Sequence, residues 1–201
     1  MPSAKVIAPT VALGASAASA GGYMYATSGG DTILYKVKSS LKDYQRVLSS
    51  KEDPIWKKFK EVYKSKESGK IPNISEDQIG AWCEDTLKES FNKEKYDQAM
   101  MWCVVDNRSL KDSLSKALLP TSGATEKWQK AWEKFNSGNS NAGDLKLPDD
   151  ALGSTKPSEK TAGGTALNGW CAAKYEMKMY ELGVEDMSKK VEKWCSEEAG
   201  N

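Results

Sequence analysis

The chain contains no histidine. This removes the commonest general base and the commonest metal ligand, and with them every Ser-His or Cys-His nucleophile arrangement. Arginine is confined to Arg46 and Arg108, so planar, bidentate recognition of phosphate or carboxylate has almost no supply. The four cysteines are separated by 20, 68 and 24 residues. Those intervals exclude the short zinc knuckle and the Cys-x-x-Cys pair of thiol–disulfide exchange. Alternating β-branched runs bounded by Asn-Gly or Asp-Gly are also missing, so no strand is expected. Excess charge is absent too: 29 Lys+Arg stand against 28 Asp+Glu, a net charge of +1. Nucleic-acid binding needs a basic face that this balance does not provide. The expectation is therefore no metal, no cofactor, no nucleic acid and no catalytic residues.

An apolar stretch without a charge is "VIAPTVALGASAASAGGYMYA", residues 6–26. As a helix it would span about 31 Å, close to the hydrocarbon thickness of a bilayer. Ala, Gly and Ser keep it only mildly apolar, and Tyr23 and Tyr25 stand where interfacial aromatics belong. Lys5 before it and Ala18-Ser19-Ala20 within it also fit a cleavable signal peptide. The segment 1–30 is thus expected to be a signal or anchor, with an uncleaved membrane anchor placed ahead of cleavage and secretion. The remainder would lie outside the cell.

Beyond Asp31 the pattern is helical. "TILYKVKSSLKDYQRVLSS" puts Ile33 or Leu34, Val37, Leu41, Tyr44 and Leu48 near one face. In "EDPIWKKFKEVYKSK", Asp53 suits an N-cap and Pro54 the first helical position. Ser75 and Gln78 form a capping-box pattern ahead of Ile79, Trp82 and Cys83. Later, "ATEKWQKAWEKFNSG" repeats the grammar of "WKKFKEVY" with Trp128, Trp132 and Phe135. The predicted fold is all-α, an N-terminal apolar helix followed by a duplicated helical bundle. The predicted units are 31–122 and 123–201, the second carrying a Gly/Ser/Asn-rich disordered insert over 136–165.

Every cysteine follows a tryptophan: Trp82-Cys83, Trp102-Cys103, Trp170-Cys171 and Trp194-Cys195. Neighbours on a helix point about 100° apart, so each pair shares the edge of one broad apolar face. With Trp56 and Trp128, these four tryptophans are the expected core indoles. Cys83–Cys103 and Cys171–Cys195 would close loops of 20 and 24 residues, each bridge contributing about 3 kcal/mol in the chain-entropy model. Cross-half pairing stays open, since four cysteines allow three connectivities, and so does a set of reduced core thiols. The acidic pairs Glu84/Asp85, Asp149/Asp150 and Glu197/Glu198 read as solvated surface. The Gly163-Gly164 pair reads as loop without a phosphate-binding signal.

The apolar N-terminal segment, "YQRVLSSKEDPIWKKFKEVYK", "AWCEDTL" and "YDQAMMWCVVDNRSLKDSL", in that order and then repeated, resemble the large paralogous protein families of haemotropic mycoplasmas. These are wall-less bacteria attached to red cells. The resemblance implies an exported or membrane-anchored surface protein acting in host interaction or antigenic variation. The partners it implies are the membrane, through the N-terminal segment, and a host protein or antibody. The competing readings are an exported enzyme using carboxylates or a thiol, and a non-catalytic intracellular binding module. Oligomeric state is not legible.

Overall fold

The computed structural model describes residues 31–148, 150–153 and 158–201. The expected signal or anchor over 1–30 lies outside the described residues. Among those residues, no helix is long and apolar enough to cross a membrane. The fold is mostly helical, as the periodicity predicts: α1 (Ile33–Ser40), α2 (Trp56–Ser65), α3 (Ile79–Thr86), α4 (Lys93–Trp102), the single turn α5 (Leu110–Ser113), α6 (Thr125–Gly138), α7 (Lys160–Tyr175) and α8 (Val184–Trp194).

The expectation of no strand is corrected by a short antiparallel ribbon. Strand β1 (Gln45–Val47) pairs with β2 (Val104–Asp106), Gln45 opposite Asp106 and Val47 opposite Val104. Three residues are too few to display an alternating pattern in sequence. The same ribbon ends the first helix early, so Tyr44 and Leu48 do not continue the stripe of α1. Ser39 and Ser40 turn their hydroxyls back onto the carbonyl of Lys36, 2.8 and 3.0 Å away. Such local bonds offer the backbone an alternative to helix, and Leu41 leaves the helix in extended conformation.

Two apolar cores form. The first holds Ile33, Val37, Leu48, Trp56, Phe59, Tyr63, Ile79, Cys83, Ala99, Trp102 and Cys103. The second holds Leu110, Leu119, Trp128, Trp132, Phe135, Leu147, Leu167, Cys171, Val191, Trp194 and Cys195. Leu110 and Leu119, expected in the first unit, pack in the second. The chain crosses between residues 107 and 110, where the N–H of Asn107 still bonds Tyr44 and that of Leu110 already bonds Met177. Sequence places a boundary at the last turn signal; the structure places it where a new cap starts. Ser109 caps α5 and bridges to Lys178 as Thr32 caps α1 and bridges to Ser90.

The two cores share a set of matching bonds. Leu48 N–H donates to the carbonyl of Cys103 at 2.7 Å, and Leu119 N–H to that of Cys195 at 2.8 Å. Phe91 N–H meets the carbonyl of Asp31 as Met179 N–H meets that of Arg108. Trp56 donates its indole N–H to Ser50 and Trp128 to Pro120, 3.0 and 2.9 Å. Tyr63 sets its edge against Trp102 at 4.6 Å between centroids, and Phe135 against Trp194 at 5.1 Å.

One difference between the cores lies at a seam. Four residues after Trp56 stands Lys60, which reaches Asp77 at 2.9 Å in an ion pair open to water. Four residues after Trp128 stands Trp132, which is buried against Gly163 of α7. An exposed ion pair contributes at most about 1 kcal/mol, so α6 and α7 form the tighter seam.

The disordered insert expected over 136–165 is corrected over 136–148 and 158–165, while residues 149 and 154–157 of it lie outside the described residues. Helix α6 runs on to Gly138, two 3-10 turns follow at Asn139–Asn141 and Gly143–Leu145, and α7 starts at Lys160. The buried Asn139 fixes this segment by two bonds to Leu147, its Nδ2 donating at 3.1 Å and its Oδ1 accepting at 2.8 Å. Leu147 is buried beside it. One amide and one leucine are enough to order a stretch whose composition reads as unfolded.

Candidate functional site

The four Trp-Cys pairs are the densest sequence signal, and they form two unlike kinds of site. Cys103 and Cys195 each follow the last residue of a helix and share one backbone shape, φ −107° and −116° with ψ 3° and 6°. The tryptophan before each is buried and donates its indole N–H to a loop carbonyl: Trp102 to Gly69 and Trp194 to Leu145, both at 2.8 Å. A buried indole needs such an acceptor, so these two tryptophans fasten a helix end to the loop that crosses it. Trp82 and Trp170 sit in mid-helix beside Cys83 and Cys171. They pack only partly buried against the two cores. The expectation of six core tryptophans is corrected to Trp56, Trp102, Trp128 and Trp194, joined by Trp132, with Trp82 and Trp170 at the rim.

The sulfurs pair within each unit. Cys83 bonds Cys103 and Cys171 bonds Cys195, with Cα atoms 5.6 and 5.9 Å apart. All four cysteines are fully buried, and none is free. A reactive-thiol role therefore has no thiol to use.

Tyr175 adds a further stitch. Its hydroxyl lies 3.0 Å from the carbonyls of both Leu119 and Cys195 and shares its proton between them. Leu87 stands at the matching place in the first unit, four residues after the first bridge cysteine. Burial holds the Tyr175 phenol neutral well above the usual tyrosine range. A folded-state pKa raised above the unfolded one contributes stability that is whole below pH ~10 and lost as pH climbs past it. Tyr175→Phe is expected to cost about 1–2 kcal/mol at neutral pH, by leaving a buried carbonyl short of a donor. It should also flatten the loss of stability in alkali. Urea unfolding of both forms at pH 7 and pH 11 checks this; parallel pH profiles would refute it.

Three members of the acidic pairs hold partners. Glu84 accepts from the backbone N–H of Lys51 at 2.9 Å and from Lys88 at 3.1 Å, which holds its carboxyl below the usual range. Glu197 pairs with Lys127 and Glu198 with Lys116. Asp149 lies outside the described residues. No group of three or more metal-ligating side chains occurs among the described residues.

The larger hollows are open grooves. One of about 690 Å³ runs between α2 and α3 past Trp56, Lys60 and Asp77. Another of about 650 Å³ lies between α6 and α8 beside Trp194. The Gly163-Gly164 pair, expected in a loop, is inside α7 and forms the contact face with α6. No family model, characterised protein or solved structure matches the chain.

Proposed function

We propose that the chain is an exported, membrane-anchored helical protein displayed on the cell surface, where its outer face engages a host protein or antibody. The observation that carries this reading is the pair of buried disulfides, one in each core. Disulfides form and persist in oxidising compartments and are rare in the cytosol. The uncharged stretch 6–26 supplies the route to the surface and the anchor, and its likeness to surface proteins of haemotropic mycoplasmas points the same way.

A further observation supports an anchor rather than release. Four large apolar side chains of the described residues stand exposed, and two of them, Tyr35 and Phe91, flank the place where the apolar segment joins the body. Phe91 N–H bonds the carbonyl of Asp31, and Lys36 lies over the Phe91 ring at 5.9 Å. Aromatic rings beside lysines suit the headgroup level of a bilayer.

Protease treatment of intact cells, combined with N-terminal sequencing and thiol counting on the natural protein, tests the proposal. The expected result is cleavage from outside, a retained segment 6–26 and no free thiol. Complete protection from protease would remove surface display. A new N-terminus after Ala20 would replace anchoring by secretion.

A further inference from the structure

The groove beside Trp194 is lined by Lys116, Lys134, Lys189 and Lys193, against Glu192 and Glu198. Three separate stretches of chain bring these lysines together: the segment after α5, helix α6 and helix α8. The chain as a whole is close to neutral, so the local excess is not part of a generally basic surface.

The fold does not require these lysines, because the first unit builds the matching helix end, indole bond and ribbon without them. Trp102 and Trp194 occupy matching places, as do Tyr63 and Phe135. Counting along the same helices, Met101 stands where Lys193 does, Asp97 where Lys189 does, and Val62 where Lys134 does. In the ribbon, Gln45 stands two residues before Val47 as Lys116 stands two before Leu118, and Val47 and Leu118 bridge to Val104 and Ser196 respectively. Four matched positions change from neutral, apolar or acidic to lysine, while the surrounding indoles, bridges and backbone bonds stay.

Two of the lysines already meet one residue of the chain itself, Glu198. The Glu198 carboxylate pairs with Lys116 at 2.7 Å, and its backbone carbonyl accepts from Lys134 at 2.8 Å. Its side chain is 76% exposed, so it can swing away with little change in hydration. Lys193 is held over the Trp194 ring at 4.8 Å, and Lys189 is 4.0 Å from Asp186. An ammonium is a compact point charge that binds phosphate without the planar geometry arginine imposes. The scarcity of arginine thus excludes bidentate recognition and leaves this mode open.

We propose that the groove beside Trp194 binds a multiply charged oxyanion, phosphate or sulfate esters carried on a compact organic scaffold. Its size suits such a ligand: about 650 Å³ falls within the range of small-molecule sites. Several charges are needed, since one exposed lysine–anion pair is weak and salt-screened. The inference is independent of surface anchoring.

Calorimetric titration of the full chain in mild detergent tests it, with tripolyphosphate and sucrose octasulfate as probes, at low ionic strength and at about 0.15 M salt. One-to-one binding that weakens with salt is expected, and the probe that binds distinguishes phosphate from sulfate as the oxyanion. Lys189→Met with Lys193→Met should weaken binding about tenfold. Lys93→Gln with Lys95→Gln removes the same charge from the first unit and should leave binding unchanged. Glu198→Gln should tighten it severalfold. Thermal unfolding of each variant checks that it folds. No saturable binding of either probe overturns the proposal, and so does equal loss in both double variants. Association with anionic vesicles alone would overturn it in favour of a lipid surface.

Discussion

Gly163→Ala is expected to destabilise the second unit by about 3 kcal/mol, at the upper end of the cost of overpacking a core. A Cβ at this position would fall 2.1, 2.3 and 2.4 Å from three atoms of the Trp132 ring. The ring has nowhere to go: Trp132 is 2% exposed and stacks on Phe135 at 5.6 Å between centroids. Nor can the helix slide along its neighbour. A Cβ on Gly164 would meet the backbone of α6, 3.0 Å from the nitrogen of Gln129 and 3.1 Å from the carbonyl group of Trp128. The methyl group therefore has to push α7 away from α6 and open the seam. Alanine gains about 1 kcal/mol over glycine in helix propensity, which offsets only part of this. Gly169 provides the contrast within the same helix. Nothing lies within 4 Å of its Cβ position, so Gly169→Ala should stabilise by about 1 kcal/mol. Urea unfolding should thus give opposite signs for two identical substitutions six residues apart in α7. Trp132→Leu added to Gly163→Ala should recover part of the loss by making room for the methyl. If both glycine variants raise stability, α6 and α7 are not closed on each other as described.

That seam also shows where the sequence is legible and where it is not. Helix type and approximate position follow from apolar spacing, because burying one stripe is a local requirement on side-chain order. The stripe of α6, Trp128, Trp132 and Phe135, is read correctly for this reason. The Trp-Cys pairs are legible as edges of apolar faces, because adjacency on a helix fixes which face both residues occupy, whereas the partner of each cysteine is not. What is not legible depends on a distant partner. Gly163 and Gly164 look like loop residues until Trp132, about thirty positions earlier, is known to fill the space over them. Leu147 lies in a polar stretch and shows no periodicity; Asn139 holds it through bonds that no local pattern announces. Trp82 and Trp102 both precede a cysteine, yet only the second is buried. Trp102 ends its helix beside a crossing loop, whereas Trp82 lies in mid-helix. The groove lysines escape notice too, since they come from three stretches and each alone reads as a solvated charge.

Removing either disulfide should cost about 3 kcal/mol, and the first unit should suffer more than the second. Loop length does not decide the order. Loops of 20 and 24 residues differ by only about 0.2 kcal/mol in closure entropy. The packing that remains does decide it. Without Cys171–Cys195, the second unit keeps the glycine seam between α6 and α7 and the Tyr175 stitch across Leu119 and Cys195. Without Cys83–Cys103, the eight-residue α3 keeps buried Ile79 and the contact of Gly80 with the Trp56 ring, while the turn ahead of it adds exposed ion pairs, Lys60 with Asp77 and Lys64 with Glu76. These contribute little in water and less in salt. Small cores of this kind depend on covalent staples. Cys83→Ala with Cys103→Ala is therefore expected to expose α3 and α4 to hydrogen exchange and protease at a temperature where the matching variant of the second unit still holds. Alkylation of the unaltered protein should label no cysteine in native buffer even with mild reductant present, because all four sulfur-bearing residues are fully buried. Labelling should appear only with denaturant. Rapid labelling of four thiols in the folded protein would show that the bridges do not form in it. The oxidising location argued for the chain would then lose the evidence it stands on. A first unit that outlasts the second after bridge removal would show instead that its ion pairs and Tyr63–Trp102 contact hold more than their exposure and area suggest.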